Sequence, residues 1–265
     1  MTTFKDKYGP WALITGASAG IGEEFARQLA EKGLNLALTA RRLDRLEKLA
    51  DELKEAFSVE VRCIQCDLSD IEFMPVIRNS VSNIEIGLLI NNAGFGIGGS
   101  FLESDLNKEL AQLNVHCRAN IILTYEFGNK MVERNRGGII FTSSVMGFFA
   151  APYSVHYAST KAHNLFYGEG LFYELRDKGI DVQALCPGFT KTEFHTAAGL
   201  NRAGGMGVKP VVKASLDKLG KKPVVVPGLY NKLAVAGLKY LPRRVMLTIW
   251  KHIARKLKRD RVQSE

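Results

Sequence analysis

Short apolar runs alternate along the chain with longer segments in which apolar positions recur every three or four residues. The runs are rich in Val, Ile, Leu and Thr and predict six β-strands, at about 11–15, 34–40, 59–67, 86–94, 137–144 and 180–188. The amphipathic segments between them predict helices at about 21–32, 43–57, in the seventies, 106–133 and 155–176. Strands that are apolar on both faces and alternate with helices are typical of a parallel sheet covered on both sides. We therefore predict one α/β domain with a single doubly wound parallel sheet of the Rossmann type.

The regular alternation stops after Pro187. Residues from about 189 to 210 are rich in Gly, Ala and Thr and lack a clear period, which predicts a mobile substrate flap. Helical spacing returns from about residue 229, in two amphipathic segments that meet at Pro242. We therefore predict that residues 1–228 form the catalytic domain, with the flap inside it, and that residues 229–265 form a basic amphipathic helical extension.

The positive charge of the chain is concentrated in this extension. The sequence has 36 Lys and Arg against 27 Asp and Glu, a formal net charge of +9, and the segment from Lys232 onwards has ten basic and two acidic residues, 10 − 2 = +8. An apolar stripe that contains Trp250 beneath a cationic face is typical of a helix that contacts an anionic membrane surface, and a cap over the substrate cleft is the other role predicted for it. The competing interpretation is that the stripe packs on the catalytic domain or on a second subunit. Binding to nucleic acid would rest on charge alone and is not predicted.

The four cysteines predict free thiols in a reducing compartment, because the N-terminal segment has no secretory signal. Cys63 and Cys66 form a C-x-x-C inside a predicted buried strand, and no second pair completes a metal site, so no metal is predicted. No run of about 20 apolar residues predicts a membrane-spanning helix. These features predict a cytoplasmic protein whose route to a membrane is peripheral contact through the extension.

A glycine-rich segment, TGASAGIG at 15–22, joins the first predicted strand to the first predicted helix. Glycines at such a junction let the backbone approach a pyrophosphate, and the helix N-terminus offers unpaired N–H groups. The spacing is G-x-x-x-G-x-G and differs from the commoner G-x-G-x-x-G. The segment predicts a dinucleotide site, and a tight turn without a ligand is the competing interpretation.

The second predicted strand ends in LTARR, where the adenosine ribose of a dinucleotide would lie. Arg41 and Arg42 stand there in place of an acidic residue that would accept from the 2′-hydroxyl. A guanidinium matches a 2′-phosphate in charge and geometry. The segment therefore favours NADP(H) over NAD(H), unless the two arginines only solvate the start of a helix.

Tyr157 and Lys161 stand four positions apart in SVHYASTKAHN, one turn apart on a predicted helix. This spacing occurs often by chance. A nearby ammonium would favour the phenolate and lower the pKa of the phenol from its usual value of about 10. Tyr157 would then serve as an acid and base near neutral pH.

Seven pieces of the chain, in this order, resemble the short-chain dehydrogenase/reductase family. They are TGASAGIG, Asp67 after the third strand, NNAG at 91–94, Asn114 in QLNVH, Ser144 in TSSVMG, YASTK at 157–161 and PGFTKT at 187–192. The likeness covers residues 11 to about 195. It implies that Asn114, Ser144, Tyr157 and Lys161 are catalytic. Ser144 is preferred to Ser143 because it precedes Tyr157 by thirteen residues, the interval usual in the family, and Ser143 would face the opposite side of the strand.

The resemblance also implies the residues that line the dinucleotide. They are Gly16, Ser18, Gly20, Ile21, Gly22, Arg41, Asp67, Asn91, Ala93, Gly94, Lys161, Pro187, Gly188 and Thr192. Asp67 would contact the adenine, Asn91 and its neighbours the nucleotide, and Thr192 the nicotinamide amide. Lys161 would also hold the ribose, and Asn114 would relay the proton through a water.

The function implied is that of an NADP(H)-dependent oxidoreductase that interconverts a carbonyl and a secondary alcohol. Residues predicted to border the substrate are Phe95, Met146, Phe148, Phe149, Tyr153, Phe189 and Phe194, and they favour a small or lipid-like apolar substrate unless several belong to the core. The competing function is a catalytically silent dinucleotide-sensing protein on the same fold. Gly168 and Gly170 predict either close helix packing at a subunit contact or a local helix irregularity, and a homodimer or homotetramer is expected.

Overall fold

The computed structural model describes residues 3–194, 204–238, 240 and 242–262, with side chains described as far as His252. Its strands form one sheet in the order β3-β2-β1-β4-β5-β6-β7, and every pairing is parallel. The strands are β1 Trp11–Thr15, β2 Asn35–Ala40, β3 Val61–Gln65, β4 Ile86–Asn91, β5 Gly137–Thr142, β6 Ile180–Leu185 and β7 Val224–Val225. The predicted fold class is confirmed.

Helices cover both faces of this sheet. In chain order, the α-helices among the described residues are α1 Phe4–Tyr8, α2 Gly20–Glu31, α3 Leu43–Phe57, α4 Met74–Ser80, α5 Leu106–Leu113, α6 Ala119–Glu133, α7 Val155–Leu175, α8 Val208–Leu216, α9 Leu229–Leu238 and α10 Arg243–Val262. The strand order reverses between β1 and β4, which lie side by side while the chain between them visits β2 and β3. A crevice at the carboxyl ends of the strands is expected at such a reversal, and ligands of α/β sheets bind there.

The core consists of one large apolar cluster on each face of the sheet and a small third cluster of Leu165, Ala184 and Cys186. In β1, Ala12 and Ile14 face the cluster that α2, α3 and α8 cover, while Trp11 and Leu13 face the one that α4, α6 and α7 cover. Successive side chains of a strand point to opposite faces, so a strand covered on both sides must be apolar throughout. This explains the unbroken run WALIT, and each fully buried Leu or Ile contributes about 1.5–3 kcal/mol.

Three elements differ from the sequence-based prediction. The helix predicted over 106–133 is interrupted by a π-helical turn, Asn114–Arg118, between α5 and α6. The predicted irregular segment is shorter than 189–210, because α8 begins at Val208. A seventh strand, Val224–Val225, pairs with β6 and is too short for a periodic pattern to reveal.

The two ends of the predicted flap are held together by backbone hydrogen bonds. Met206 N donates to the carbonyl of Phe189, and Lys191 N donates to that of Met206, both at 2.9 Å. Residues 195–203 of the flap lie outside the described residues. The described ends therefore form a paired stem at the carboxyl end of β6.

The predicted extension contains two helices, α9 and α10, and both contact the rest of the chain, α9 at Asn231, which lies against Gly188, and α10 at Trp250. The indole N–H of Trp250 donates to the carbonyl of Pro152 at 3.2 Å, and its ring packs on Phe149 with centroids 5.1 Å apart. Val245 and Ile249, predicted on the same stripe, are about half exposed, at 45% and 49%. Ile253 and Leu257 of that stripe lie beyond the described side chains. None of the helices described is long and apolar enough to cross a membrane.

Candidate active site

The glycine turn between β1 and α2 is closed by contacts that leave no room for side chains. Gly16 has a φ of +67°, and a Cβ there would lie 2.8 Å from Ala93 Cα. A Cβ on Gly22 would lie 2.2 Å from the carbonyl oxygen of Gly16. The predicted turn is therefore required by packing, apart from any role in binding a ligand.

The start of α2 is suited to bind an anion. Ala19 precedes the helix and provides no side-chain cap, so the first N–H groups of α2 are left for another partner. Gly20 opens the helix with a φ of +63°. The N-terminus of a helix that lacks a capping side chain favours a phosphate, through both its N–H groups and its dipole.

Thr15 and Asn92 fasten this turn to the end of β4, and sequence reasoning named neither. The buried Thr15 hydroxyl donates to the carbonyl of Ile90 at 3.2 Å and accepts from the backbone N–H groups of Asn92 and Ala93 at 2.9 and 3.0 Å. Asn92 Nδ2 donates to the carbonyl of Thr15 at 3.0 Å, and Asn92 Oδ1 accepts from Thr142 Oγ1 at 3.3 Å. Asn92 thus joins the ends of β1, β4 and β5.

A cluster of charged side chains lies beyond the end of β2. Arg42 Nη2 donates to Ser18 Oγ at 3.2 Å, and Arg42 Nη1 donates to Glu193 Oε2 at 3.0 Å. Arg45, one turn into α3, donates to both carboxylate oxygens of Glu193 at 2.7 and 2.9 Å. We call Arg42 and Arg45 the arginine pair. Arg41, the residue named for this position from the sequence, has an exposed side chain, and its carbonyl accepts from Gln65.

Two other residues predicted for the nucleotide have their side chains engaged. Asp67 Oδ1 accepts from the backbone N–H and the hydroxyl of Ser69, at 2.9 and 2.8 Å, and closes the turn after β3. Asn91 is 1% exposed, and its Nδ2 donates to Thr124 Oγ1 at 3.2 Å. A ligand in the crevice would therefore reach Asn91 through its backbone rather than its side chain.

Ser144, Tyr157 and Lys161 converge at the carboxyl end of β5. Ser144 follows β5, its hydroxyl accepts from Met146 N at 3.1 Å, and it hydrogen-bonds the phenol of Tyr157 in the first turn of α7. Lys161 is 3% exposed, its Nζ donates to the carbonyl of Thr142 at 2.9 Å, and it lies 5.7 Å from the centroid of the Tyr157 ring. Ser143 instead donates to the carbonyl of Lys161 at 2.6 Å, which agrees with the choice of Ser144.

Burial determines the pKa values of this group. Burial raises the pKa of Tyr157 to about 12, although the hydrogen bond from Ser144 acts in the opposite direction. Burial lowers the pKa of Lys161 to about 8. Burial of the phenolate thus acts against the lowered phenol pKa expected for Tyr157, and its effect is larger than that of the Ser144 hydrogen bond.

Asn114 begins the π-helical turn, a feature that is common at functional sites. Its side-chain Nδ2 donates to the carbonyl of Ser69 at 3.0 Å. The side chain thus ties the α5–α6 junction to the loop after β3. The proton relay predicted for Asn114 stays a prediction.

His116, in the same turn, is fully buried and links three segments of the site. Phe95 N donates to its Nε2 at 3.0 Å, so its Nδ1 carries the proton and donates to Thr160 Oγ1 at 2.8 Å. Thr160 in turn donates to the carbonyl of Tyr157 at 2.9 Å. Burial lowers the pKa of His116 well below its usual 6.5, and the nearby Lys161 acts in the same direction. A lone histidine in the sequence carries no signal of this network.

The predicted substrate wall divides into site and core residues. Phe194 lies 5.8 Å from Tyr157, ring centroid to centroid, and Phe149 packs on Trp250. Phe148 packs instead against buried residues of α7 and β6, and Phe95 against His116 and the core cluster of that face. Met146, Tyr153 and Phe189 are partly buried. Trp250 is an aromatic neighbour that the predicted wall omitted.

Comparison with known proteins gives a consistent family. Residues 10–203 match the short chain dehydrogenase family. A very-long-chain 3-oxoacyl-CoA reductase from Rattus norvegicus is 35% identical over 192 residues, 71% of this chain but only 62% of that protein, so the match spans less than two thirds of the relative.

Two solved structures extend the comparison. A short-chain dehydrogenase from Sphingobium yanoikuyae in complex with NADPH is 33% identical, has a TM-score of 0.79, and the match covers 88% of this chain and 94% of that one. The bulky-bulky ketone specific alcohol dehydrogenase from Comamonas testosteroni is also 33% identical, with a TM-score of 0.75 and coverages of 89% and 96%.

Proposed function

The chain belongs to the short-chain dehydrogenase/reductase family, and from that premise we propose that it is an NADP(H)-dependent oxidoreductase that interconverts a carbonyl and a secondary alcohol. The observation that carries the proposal is that Ser144, Tyr157 and Lys161 lie together at the carboxyl end of β5. Lys161 donates to the Thr142 carbonyl, and the Thr142 hydroxyl donates to Asn92, which holds the turn. The acid–base group and the dinucleotide turn thus belong to one continuous network.

Tyr157 is proposed to donate a proton to the carbonyl oxygen of the substrate. Burial raises the pKa of this phenol to about 12, so it holds its proton at neutral pH, and nearby positive charge would have to stabilise the phenolate for the transfer to be fast. Ser144, which already hydrogen-bonds the phenol, would donate to the same oxygen as negative charge develops on it. When bound, the nicotinamide supplies or accepts the hydride.

Lys161 is proposed to orient the nicotinamide ribose and to stabilise negative charge on Tyr157. An ammonium has three donors, and the bond to Thr142 uses one of them. With a pKa of about 8, Lys161 is mostly protonated at pH 7. One Nδ2–H of Asn114 donates to the Ser69 carbonyl, which leaves its second Nδ2–H and its Oδ1 for a proton relay.

The preference for NADP(H) rests on the arginine pair and Ser18. Arg42 and Arg45 present guanidinium groups beyond β2, where the adenosine ribose of a dinucleotide on the glycine turn would lie. A 2′-phosphate would receive charge-assisted hydrogen bonds from both. The residues present fit that group, and the complex of a 33% identical relative with NADPH supports the same choice.

The substrate is proposed to be an apolar carbonyl compound of lipid-like or bulky character. Phe194 beside Tyr157, and Phe149 beneath Trp250, offer aromatic surface near the acid–base group. The similarity to a very-long-chain 3-oxoacyl-CoA reductase and to a ketone-specific dehydrogenase supports this class. The extension would then cap the cleft through Trp250.

A screen of apolar ketones and 3-oxoacyl thioesters, with NADPH oxidation followed by absorbance, tests this function. We expect turnover with at least one bulky or long-chain compound and none with small hydrophilic ketones. NADPH binding by calorimetry without turnover on any compound would instead support the silent sensor.

A homodimer is proposed through the outer face of α5, α6 and α7. Tyr125, Phe166 and Tyr173 are 75%, 68% and 65% exposed on these helices. Gly168 approaches Phe141 and Ala184 of its own sheet, whereas a Cβ on Gly170 would meet nothing within 4 Å. Light scattering after gel filtration should give a dimer for the wild type and a monomer for Phe166→Glu.

Peripheral contact of the extension with an anionic membrane is proposed on charge and exposure. Leu229, Tyr230 and Leu233 are 71%, 84% and 64% exposed, and Arg243 and Arg244 are exposed at the start of α10. Lys and Arg near anionic lipid contribute about 1 kcal/mol each. The full chain should sediment with phosphatidylserine vesicles and the Arg243→Glu, Arg244→Glu variant should not. Equal sedimentation of both proteins, or equal binding to neutral vesicles, would contradict the contact.

A further inference from the structure

Glu193 forms ion pairs with Arg42 and Arg45, the arginine pair that is proposed to bind the 2′-phosphate. Its carboxylate accepts from Arg42 at 3.0 Å and from Arg45 at 2.7 and 2.9 Å. The sequence separates Glu193 from these arginines by 151 and 148 residues, so only the fold brings them together. The arginines lower the pKa of Glu193, which is therefore ionised at neutral pH.

A carboxylate and a phosphate compete for the same guanidinium donors. A carboxylate is planar and a phosphate is tetrahedral, but each presents at least two anionic oxygens that accept charge-assisted hydrogen bonds in the same range of distances. A phosphate monoester carries the larger charge, about −1.5 to −2 at pH 7. The 2′-phosphate would therefore displace Glu193, but part of its attraction would be offset by the loss of the Glu193 contacts.

The segment that carries Glu193 crosses the proposed dinucleotide site. Thr192, its neighbour, rests on the glycine turn, since a Cβ on Gly20 would lie 2.9 Å from Thr192 Cγ2. Thr192 is also the residue predicted to hold the nicotinamide amide. Contact of Glu193 with the arginine pair thus links the phosphate end of the site to the segment that would close over the nicotinamide.

We infer that Glu193 is a specificity-determining residue that competes with the 2′-phosphate for Arg42 and Arg45. This inference rests on the proposed NADP(H) preference. NAD(H), which has no 2′-phosphate, binds without breaking the Glu193 contacts, whereas NADP(H) binds by exchanging them. Glu193 accordingly lowers the ratio of the affinity for NADP(H) to the affinity for NAD(H) that the two arginines would otherwise give.

The test is the Glu193→Gln variant, which keeps the shape of the side chain and removes its charge. The side chains of Glu193, Arg42 and Arg45 are 56%, 44% and 42% exposed, so each ion pair is weak. The expected gain in affinity for NADPH is therefore modest, about twofold to tenfold. The affinity for NADH should not change. Adenosine 2′,5′-bisphosphate, measured by calorimetry, should gain by the same factor as NADPH, because it reports on the phosphate corner without any hydride chemistry.

Two controls isolate the effect. Glu55→Gln, at an exposed position on α3, makes the same change in net charge and should leave all affinities unchanged. In an Arg42→Ala, Arg45→Ala background, Glu193→Gln should no longer alter the affinity for adenosine 2′,5′-bisphosphate, because its partners are gone.

The outcomes separate this inference from the function it rests on. If the double arginine variant binds NADPH as tightly as the wild type, the proposed cofactor preference fails. If the arginines matter but Glu193→Gln leaves the affinity for NADPH unchanged or weaker, the inference on Glu193 is overturned while the preference stands. An equal gain in affinity for NADPH and NADH would also overturn the inference. Glu193 would then act by fixing the segment that carries Thr192, and not by competing with the 2′-phosphate for the arginine pair.

Discussion

The proposed acid–base corner at the end of β5 and the proposed phosphate corner at the end of β2 differ in how far their charged groups are buried. Tyr157 and Lys161 are held by neighbouring hydrogen bonds, and desolvation controls both pKa values. Arg42, Arg45 and Glu193 are near half exposed and paired with one another, so water and salt weaken each contact. We propose that the buried corner stabilises a transition state through side chains held in place by their surroundings. We propose that the exposed corner discriminates between ligands by exchanging the Glu193 carboxylate for a phosphate.

Removal of the proton donor should give the largest effect. Tyr157→Phe keeps the ring that packs on His116 and Phe194 and removes only the hydroxyl. We expect kcat to fall about 10²–10⁴-fold, as for loss of a general acid, with NADPH affinity nearly unchanged. Steady-state kinetics and calorimetry measure the two quantities. Wild-type turnover in this variant would rule out the acid–base role.

Removal of the arginine pair should weaken the binding of NADPH and leave kcat unchanged. The Arg42→Ala, Arg45→Ala variant should raise the Kd for NADPH about 10- to 100-fold, because each contact with phosphate is worth roughly 1 kcal/mol at this exposure. The Kd for NADH and the kcat at saturating cofactor should stay near their wild-type values. A matching loss for NADH would show that the pair supports the fold of the crevice instead.

The buried His116 should make the free energy of unfolding depend on pH below about 6.5. Its pKa in the folded protein lies well below 6.5, whereas the unfolded chain binds a proton near 6.5. Below that pH the unfolded state holds more protons, so the free energy of unfolding falls by about 1.4 kcal/mol per pH unit. This stability is fully present above pH 6.5 and is lost on acidification.

Urea unfolding between pH 7.5 and pH 5 measures this slope, with pH values chosen to bracket the usual histidine pKa of about 6.5. The control is His116→Gln, whose overall stability is expected to be lower but whose slope should be shallower by about one proton. Lys161 and His156, which both act to lower the pKa of His116, are retained in both proteins. Identical slopes would mean that the pKa of His116 in the folded protein is close to its value in the unfolded chain, which would contradict the expected shift.

Added salt should produce the smallest effect, a weaker binding of NADPH at the exposed arginine pair, with no change at the buried Tyr157 and Lys161. Raising the ionic strength from about 0.05 M to about 0.5 M shortens the screening length to a few Å. The Kd for NADPH should rise roughly three- to tenfold, that for NADH much less, and kcat at saturation should not change. An equal rise for both cofactors would remove the distinction between the two corners.

Local pattern was sufficient for most elements of this fold. Six of the seven strands and the helices on the sheet follow from runs and periods within the chain, because a strand buried on both faces needs a continuous apolar run and a covering helix needs one apolar side. The order of short motifs also indicated the family, and it selected Ser144, Tyr157 and Lys161, which the fold brings together. The π-helical turn at Asn114 escaped detection because it shifts the helical period by a single residue.

Tertiary structure alone decided what depends on distant neighbours or on burial. Glu193 meets Arg45 across 148 residues, and Trp250 meets Pro152 across 98, so no local pattern records either contact. Spacing on a helix indicated that Lys161 lies near Tyr157. Whether the pKa of Tyr157 is raised or lowered depends on how much water the surrounding elements exclude. Covalent sequence specifies which charges are neighbours along a helix. The dielectric around those charges, and the partners that arrive from other parts of the chain, exist only once the sheet and its helices have packed.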